Sequence, residues 1–464
     1  MDDYQSRFEM MRKASRSEPL PSIEVRLKRL QALEDVVRKN INAFARAISS
    51  DFGGRSTHET RLLEIFPCLE GIAHTRRHLG GWMKTRRRCV SLWFQPGRAE
   101  VRYQPLGVVG IIVPWNYPLY LAIGPMTAAI AAGNRVLVKM SEFTPATSAL
   151  LAELVTQHFS PDEALVVEGD AEVAQAFSAL PFDHLLFTGS TAVGHVVMRS
   201  AAAHLTPVTL ELGGKSPAIV APGYPVTKAA ERIVVGKALN AGQTCIAPDY
   251  VLLPEGQEDS FVAAARQALS TCYPSMATTG DYSAVINDRH YQRLIGYLDD
   301  ALEKGAKLVP LCDIPADAGT RRFPPVVLLD VTSDMRVMQD EIFGPILPVV
   351  PYREMDAAIA YVNERPRPLA LYLFDNNQQR IEQVLDETVS GGVTVNDTLL
   401  HIAQDNLPFG GVGPSGMGHY HGHDGFLTFS KQKPVFRQST LNGMGLLKAP
   451  YGQRFERLLG FLLR

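Results

Sequence analysis

Between Gly107 and Gly214 the chain repeats one pattern five times: a short, uninterrupted apolar run rich in β-branched residues, then a turn, then apolar residues at helical spacing. The runs are "GVVGIIV" from Gly107, "RVLVKM" from Arg135, "ALVVEG" from Ala164, "HLLFTG" from His184 and "PVTLELGG" from Pro207. A strand with no polar alternation is buried on both faces, and strands separated by helices pair in parallel. The pattern therefore predicts an α/β fold with a doubly wound parallel sheet. The first crossover helix is expected over about Leu119 to Ala132, closed by Gly133-Asn134 as a C-cap, and later ones start at Pro145, Ala171 and Thr191. Ligands of such sheets sit beyond the carboxyl ends of the strands. Here those ends are Asn116, Lys139 with Glu142, Gly189-Ser190, and Glu211.

Two runs at helical spacing precede this region, Ile23 to Ile48 and Glu59 to Trp82, and predict amphipathic helices. A second alternating region follows Gly214 to about Val395, with strands suggested at "YVLL", "PPVVLL" and "ILPVV". The tail beyond it, rich in Gly, His and Phe, fits loops and an edge strand. The length of 464 residues exceeds the ~250 to 300 at which single cores stop growing, so more than one domain is expected. With 46 basic and 48 acidic residues the net charge is -2, which offers no general attraction to nucleic acid or to an anionic membrane. The basic cluster Lys84, Arg86, Arg87 and Arg88 reads as a solvated face. Tyr103 to Asn134 is uncharged, but Pro105, Pro114, Pro118 and Pro125 argue against a membrane helix. The terminal "RFERLLGFLLR" is short of the ~20 residues a span requires. Five widely spaced cysteines without a C-x-x-C pair, and a charged N-terminus without an apolar core segment, point to a reducing, cytoplasmic setting.

Which side chains carry chemistry is less constrained. Cys245 in "GQTCIAPDYV" is either a buried small hydrophobe or a nucleophile, and the segment does not choose. Glu211 ends a strand beside Leu210 and Leu212 and precedes two glycines. It reads as a desolvated carboxylate suited to a general base, or as the partner of Lys215. Asn116, held between two prolines in "PWNYP", is a turn asparagine or a rigid amide donor for an oxyanion. Gly189, Ser190 and Gly194 in "FTGSTAVG" place a helix N-terminus at a strand end, which favours a phosphate or nicotinamide nearby. Lys139 and Glu142 suit the hydroxyls of an adenosine ribose. His419, His421 and His423 in "HYHGH" lack companion ligands at metal spacing, and no metal is expected.

Seven segments in order, "PWNYP", "GNRVLVKMSEFTP", "FTGSTAVG", "LELGGKSP", "GQTCIAPDYV", "EIFGP" and "PFGGVGPSGMG", resemble the motifs of the aldehyde dehydrogenase superfamily, from the first helices to about Phe436. "GQTCIAPDYV" and "GMGHYHG" are similar to its class 3 branch, and "VKMSEFTP" and the stretch from Gly391 to Gly422 to its bacterial coniferyl aldehyde dehydrogenases. The resemblance implies a Rossmann-like NAD-binding domain at 1–84 and 105–210 and a catalytic domain at 211–395. It further implies a bridging or oligomerisation segment at 85–104 and 396–436, a C-terminal tail at 437–464, and a homodimer. Cys245 would attack the aldehyde, Asn116 and the Cys245 N–H would hold the oxyanion, and Glu211 would activate water against the thioester. Lys139 and Glu142 would bind the adenosine ribose, Glu341 and Phe343 the nicotinamide ribose, and Gly189 to Gly194 the cofactor. Met140 stands where the family usually has proline. NAD is the expected cofactor and NADP a second possibility, because Glu142 would repel a 2′-phosphate. An aromatic or phenylpropenal substrate such as coniferyl aldehyde is implied. An aliphatic or broad-specificity dehydrogenase, a CoA-acylating enzyme and a non-catalytic relative are the alternatives.

Overall fold

The structure, a computed structural model, describes residues 2–312, 319–446 and 448–463. Its first sheet contains the five strands read from the sequence: Val108–Ile112, Arg135–Lys139, Ala164–Val167, His184–Thr188 and Val208–Glu211. They are mutually parallel, with Val108–Ile112 in the middle, the second and third strands stepping away on one side and the fourth and fifth on the other. Gly416–Met417 adds an antiparallel edge beside Val208–Glu211. Every residue of Val108–Ile112, Arg135–Lys139 and His184–Thr188 is buried. Neighbouring side chains enter opposite cores. Val109, Ile111, Val136 and Val138 join the cluster under the N-terminal helices, while Val108, Ile112, Leu137 and Leu185 meet Phe8 and Met11 on the other face. That two-sided burial is the reason the strands show no alternation. The strand order reverses between Val108–Ile112 and His184–Thr188, which opens a crevice at their carboxyl ends.

The second sheet has seven strands in the order Lys307–Pro310, Val326–Leu329, Ile346–Tyr352, Tyr250–Pro254, Pro217–Val220, Ala370–Phe374 and Gly392–Val395. Its first pair is antiparallel and the rest parallel. Arg86–Arg88, Arg98–Pro105 and Ser430–Arg437 form a separate antiparallel sheet, and the last of these is a strand expected of the glycine-rich tail.

The helices depart from expectation in three places. The run from Ile23 to Ile48 is two helices, Ile23–Arg38 and Ile41–Phe52, because the backbone leaves the helical region at Asn40, φ -122°. The run through Trp82 opens at Thr57 and contains a wide π turn at Arg61–Ile65. An additional helix spans Asp2–Ser17. "RFERLLGFLLR" lies on the helix Gln453–Leu462, and its final Arg464 is outside the described residues. Among the described residues no helix is long and apolar enough to cross a membrane.

Candidate active site

Asn116 follows the central strand in the turn bounded by Pro114 and Pro118 and is 3% exposed. Its Nδ2 donates to the carbonyl of Gln243 at 3.2 Å. Its own carbonyl accepts from Arg55 Nη1 and Asn240 Nδ2, each at 3.0 Å. An amide carries two N–H donors, so one anchors the group and the other is free for a ligand.

Glu211 is the last residue of its strand and is also 3% exposed. Neither carboxylate oxygen has a hydrogen-bond partner, and burial raises its pKa well above the usual 4.5. The alternative of a pair with Lys215 is excluded. The Lys215 ammonium pairs with Asp249 and donates to the carbonyls of Val337 at 2.8 Å and Asp340 at 3.0 Å.

Cys245 is partly exposed and follows three left-handed residues, Asn240, Ala241 and Gly242, with φ of 50°, 51° and 74°. For the two non-glycine residues such geometry costs about 1 to 2 kcal/mol each. Three bonds hold it: Glu59 accepts the Asn240 N–H at 2.8 Å, and Gln243 Nε2 donates to the carbonyls of Asn240 at 2.9 Å and Ala284 at 3.0 Å. A Cβ at Gly242 would run into the Gly344 carbonyl, so the turn admits no larger residue there. Burial pushes the thiol up, Glu341 and Glu211 push the same way, and the N–H groups of Cys245 and Ile246 oppose them by favouring the thiolate.

These residues line one cavity of about 250 Å³. Asn116, Gly189, Ser190, Glu211, Cys245, Glu341 and Phe343 all border it. Lys139, Glu142 and Gly194 do not. Lys139 is buried at the end of the next strand, donating to the carbonyls of Met140 at 2.6 Å and Gly169 at 2.7 Å, with Glu142 exposed nearby. Gly194 faces Leu212, where a Cβ would clash, and so lets the helix Thr191–Ala202 approach the strand end. The three histidines of "HYHGH" diverge. His421 is buried and 3.3 Å from the Tyr120 hydroxyl, His423 packs on Trp82, and His419 lies 3.9 Å from Asp424. No group of three metal-ligating side chains occurs among the described residues.

Trp115, Thr188, Gly213, His290 and Arg293 also line the cavity and were not singled out from the sequence. Trp115 stands 5.3 Å from the Phe343 ring and 4.9 Å from His290. Arg293 holds the "EIFGP" segment by donating to the carbonyls of Ile342 at 2.8 Å and Phe343 at 3.3 Å. Phe343 is thereby kept at φ 49°. Trp115 was visible inside "PWNYP", whereas His290 and Arg293 lie on a helix whose sequence gives no sign of its neighbours.

The groups present fit a dinucleotide. Ser190 caps the helix Thr191–Ala202, whose N-terminus opens at the crevice and suits a phosphate. Thr188 Oγ1 and Glu341 Oε1 are buried without partners, each available to a polar ligand. Burial, then Asp249, pushes the Glu341 carboxyl up to about 8.

A doubly wound sheet with a nucleotide-fitting crevice, facing a second α/β unit that brings a thiol to its rim, defines a nucleotide-dependent oxidoreductase. The sequence matches the model of the Aldehyde dehydrogenase family over residues 2–435, and the chain belongs to that family, whose members oxidise aldehydes. It is similar to the probable coniferyl aldehyde dehydrogenase of Pseudomonas aeruginosa, 55% identical, with 99% of this chain and 96% of that protein covered. Among solved structures it is similar to the substrate-bound AldH of Staphylococcus aureus, with a TM-score of 0.94, 37% identity and both chains fully covered. It also resembles the Mycobacterium tuberculosis aldehyde dehydrogenase complexed with NAD+, with a TM-score of 0.82, 29% identity, and 92% of this chain and 88% of that one covered.

Proposed function

We propose that the protein converts an aromatic or phenylpropenal aldehyde, such as coniferyl aldehyde, to its carboxylic acid with NAD, through a covalent bond to Cys245. The observation that carries this reading is the convergence of Cys245, Asn116 and Glu211 on one cavity, with both Glu211 oxygens unpaired. Cys245 loses its thiol proton to solvent and attacks the carbonyl carbon as thiolate, and the free Asn116 N–H with the Cys245 backbone N–H holds the resulting oxyanion. NAD, when bound, supplies the acceptor for the C–H electron pair, which leaves a thioester on Cys245. Glu211 then takes a proton from water, the hydroxide adds to the thioester carbonyl, and Cys245 departs as thiolate while the acid is released. Glu341 and Phe343 would contact the nicotinamide ribose, Lys139 and Glu142 the adenosine ribose, and Gly189, Ser190 and the following helix the phosphates, with Gly194 admitting that helix.

The aromatic assignment draws on the similarity to coniferyl aldehyde dehydrogenase and on the Trp115 and Phe343 rings that line the cavity with Cys245. Comparing kcat/KM over aliphatic, benzylic and cinnamyl aldehydes tests it, and a clear preference for short aliphatics overturns it. Product analysis with CoA present separates hydrolysis from acyl-CoA formation. Retention of a free carboxylate at Glu211 favours hydrolysis.

The working division remains cofactor binding at 1–84 and 105–210, catalysis at 211–395 and bridging at 85–104 and 396–436. A homodimer through the bridging segment is supported by the exposed Leu92, Trp93 and Phe94 on the turn between the strands Arg86–Arg88 and Arg98–Pro105. Light scattering at micromolar concentration tests it, with a monomer as the contrary result.

A further inference from the structure

Behind the oxyanion donor lies a buried charged cluster that the reaction steps leave unused. Arg55 comes from the turn after the helix Ile41–Phe52, and its side chain has no exposed surface. Its guanidinium stands over the rings of Phe52 at 5.1 Å and Tyr117 at 4.8 Å. Nη1 donates to Glu64 at 2.8 Å and to the Asn116 carbonyl at 3.0 Å. The second Glu64 oxygen accepts the N–H groups of Leu119 and Tyr120 at 2.8 and 3.1 Å. Glu59 lies 3.9 Å from Arg55 Nε and accepts the Asn240 N–H at 2.8 Å and the Ser283 hydroxyl at 2.7 Å.

The cluster therefore ends on both segments that carry the reacting groups: the turn holding Asn116 and the left-handed turn preceding Cys245. Asn240 Nδ2 closes the ring by donating to the carbonyls of Asn116 at 3.0 Å and Gln243 at 3.2 Å. The local backbone serves the same arrangement. Glu59 and Glu64 are five residues apart, a spacing that a regular α-helix sends to different faces, and the π turn Arg61–Ile65, which contains Glu64, widens the helix just after Glu59 so that both carboxylates reach Arg55. A buried ion cluster is weak support for stability, since packed apolar groups of the same volume do as well, but its bonds are directional and fix orientation.

We propose that Arg55 is a positioning residue for the reaction: with Glu59 and Glu64 it sets the Asn116 turn against the Cys245 turn so that both donors meet one aldehyde oxygen. This rests on the roles proposed above for Asn116 and Cys245. Displacement of a reacting group by about 1 Å lowers rate by about 100-fold, and that is the effect expected of releasing the Asn116 carbonyl.

The test is a mutant cycle in the full-length enzyme. Arg55→Gln, Arg55→Lys and the neutral pair Arg55→Gln with Glu64→Gln are made in the wild-type and Asn116→Ala backgrounds. kcat, KM for the aldehyde, NAD affinity by fluorescence and melting temperature are read for each. In the wild-type background Arg55→Gln should lower kcat about 100-fold while NAD affinity changes less than about threefold, and lysine should restore part of the rate. In the Asn116→Ala background the same substitution should cost less than about threefold, because the group it positions is gone. If Arg55→Gln alone does not fold, the neutral pair and Arg55→Lys carry the comparison. Equal losses in both backgrounds, or losses that follow melting temperature alone, overturn the inference. Full activity in Cys245→Ala would instead reject the site reading, so the two failures are distinct.

Discussion

Replacing Glu211 by glutamine keeps the shape of the side chain and removes the proposed proton acceptor. Neither oxygen of the native carboxylate is hydrogen-bonded and the group is 3% exposed, so the exchange breaks no contact. Stability near pH 5 should change by less than about 1 kcal/mol. The chemical cost falls on hydrolysis of the thioester alone. A general base contributes about 10² to 10⁴ in rate, or about 2.7 to 5.4 kcal/mol of barrier at about 1.36 kcal/mol per decade. Acylation is spared, so stopped-flow mixing with aldehyde and NAD should show one equivalent of reduced nucleotide formed rapidly and a slow phase after it. Intact mass should reveal an acyl adduct that is missing from Cys245→Ala. The wild-type kcat should rise with pH as Glu211 ionises through its raised pKa, and the variant should lose that limb. Folding stability runs the opposite way. Below the ordinary value of 4.5 the carboxyl is neutral in both states; above it the unfolded chain ionises while the buried group resists, so the wild type loses stability that the glutamine variant keeps. The melting-temperature gap should open above that pH in favour of the variant. A variant with the wild-type steady-state rate, or a slow one without a burst, refutes the assignment of Glu211 to deacylation.

Asn116→Ala should lower kcat by about 10² to 10³ through loss of one oxyanion donor. Its melting temperature should hardly move, because the Gln243 carbonyl keeps its bond from Asn240; a twofold effect on kcat would rule out the donor role. Glu142→Gln should raise kcat/KM for NADP relative to NAD by about tenfold as repulsion of the 2′-phosphate is relieved, and an unchanged ratio removes Glu142 from cofactor choice. Gly213→Ala would put a methyl group into the Glu341 carboxylate. The KM for NAD should rise about tenfold with the circular dichroism spectrum intact, one contact being worth about 1.4 kcal/mol, and an unaltered KM would show that Glu341 makes no such contact.

The first sheet could be read from sequence because its strands are buried on both faces and are separated by helices long enough to show their own period. Lys307–Pro310, Pro217–Val220, Ala370–Phe374 and Gly392–Val395 of the second sheet are not legible in the same way, because each is only four or five residues long and periodicity over so short a run does not separate a strand from a piece of helix or loop. The break at Asn40 was hidden because Val36, Val37, Ile41 and Phe44 continue the helical spacing across it, and periodicity reports which face is buried rather than whether the axis bends. The site divides in the same way. Asn116, Glu211 and Cys245 could be singled out because each is a polar or reactive residue at a strand end or in a glycine-bounded turn. Arg55 in "GGRST" and Arg293 in "DRHYQR" could not, since each acts on a carbonyl 61 and 49 residues away, respectively, and in sequence resembles any surface arginine.

That division bears on how the motifs relate to chemistry. Asn116 and Glu211 belong to the ends of the first sheet, whereas Cys245 precedes the strand Tyr250–Pro254 of the second. Each motif specifies only its own turn, and the bonds that join the turns come from residues outside the motifs: Glu59 accepts the Asn240 N–H, and Asn240, two residues before "GQTCIAPDYV", donates to the Asn116 carbonyl. A relative carrying all three proposed reacting residues but lacking these bonds should bind the nucleotide and react slowly, because most of the proposed nucleotide contacts, Lys139, Glu142 and Gly189 to Gly194, lie at the ends of the first sheet while the reacting geometry spans both sheets. Kinetics of such chains, natural or made by substitution at Glu59 or Arg55, distinguish the possession of the motifs from their alignment.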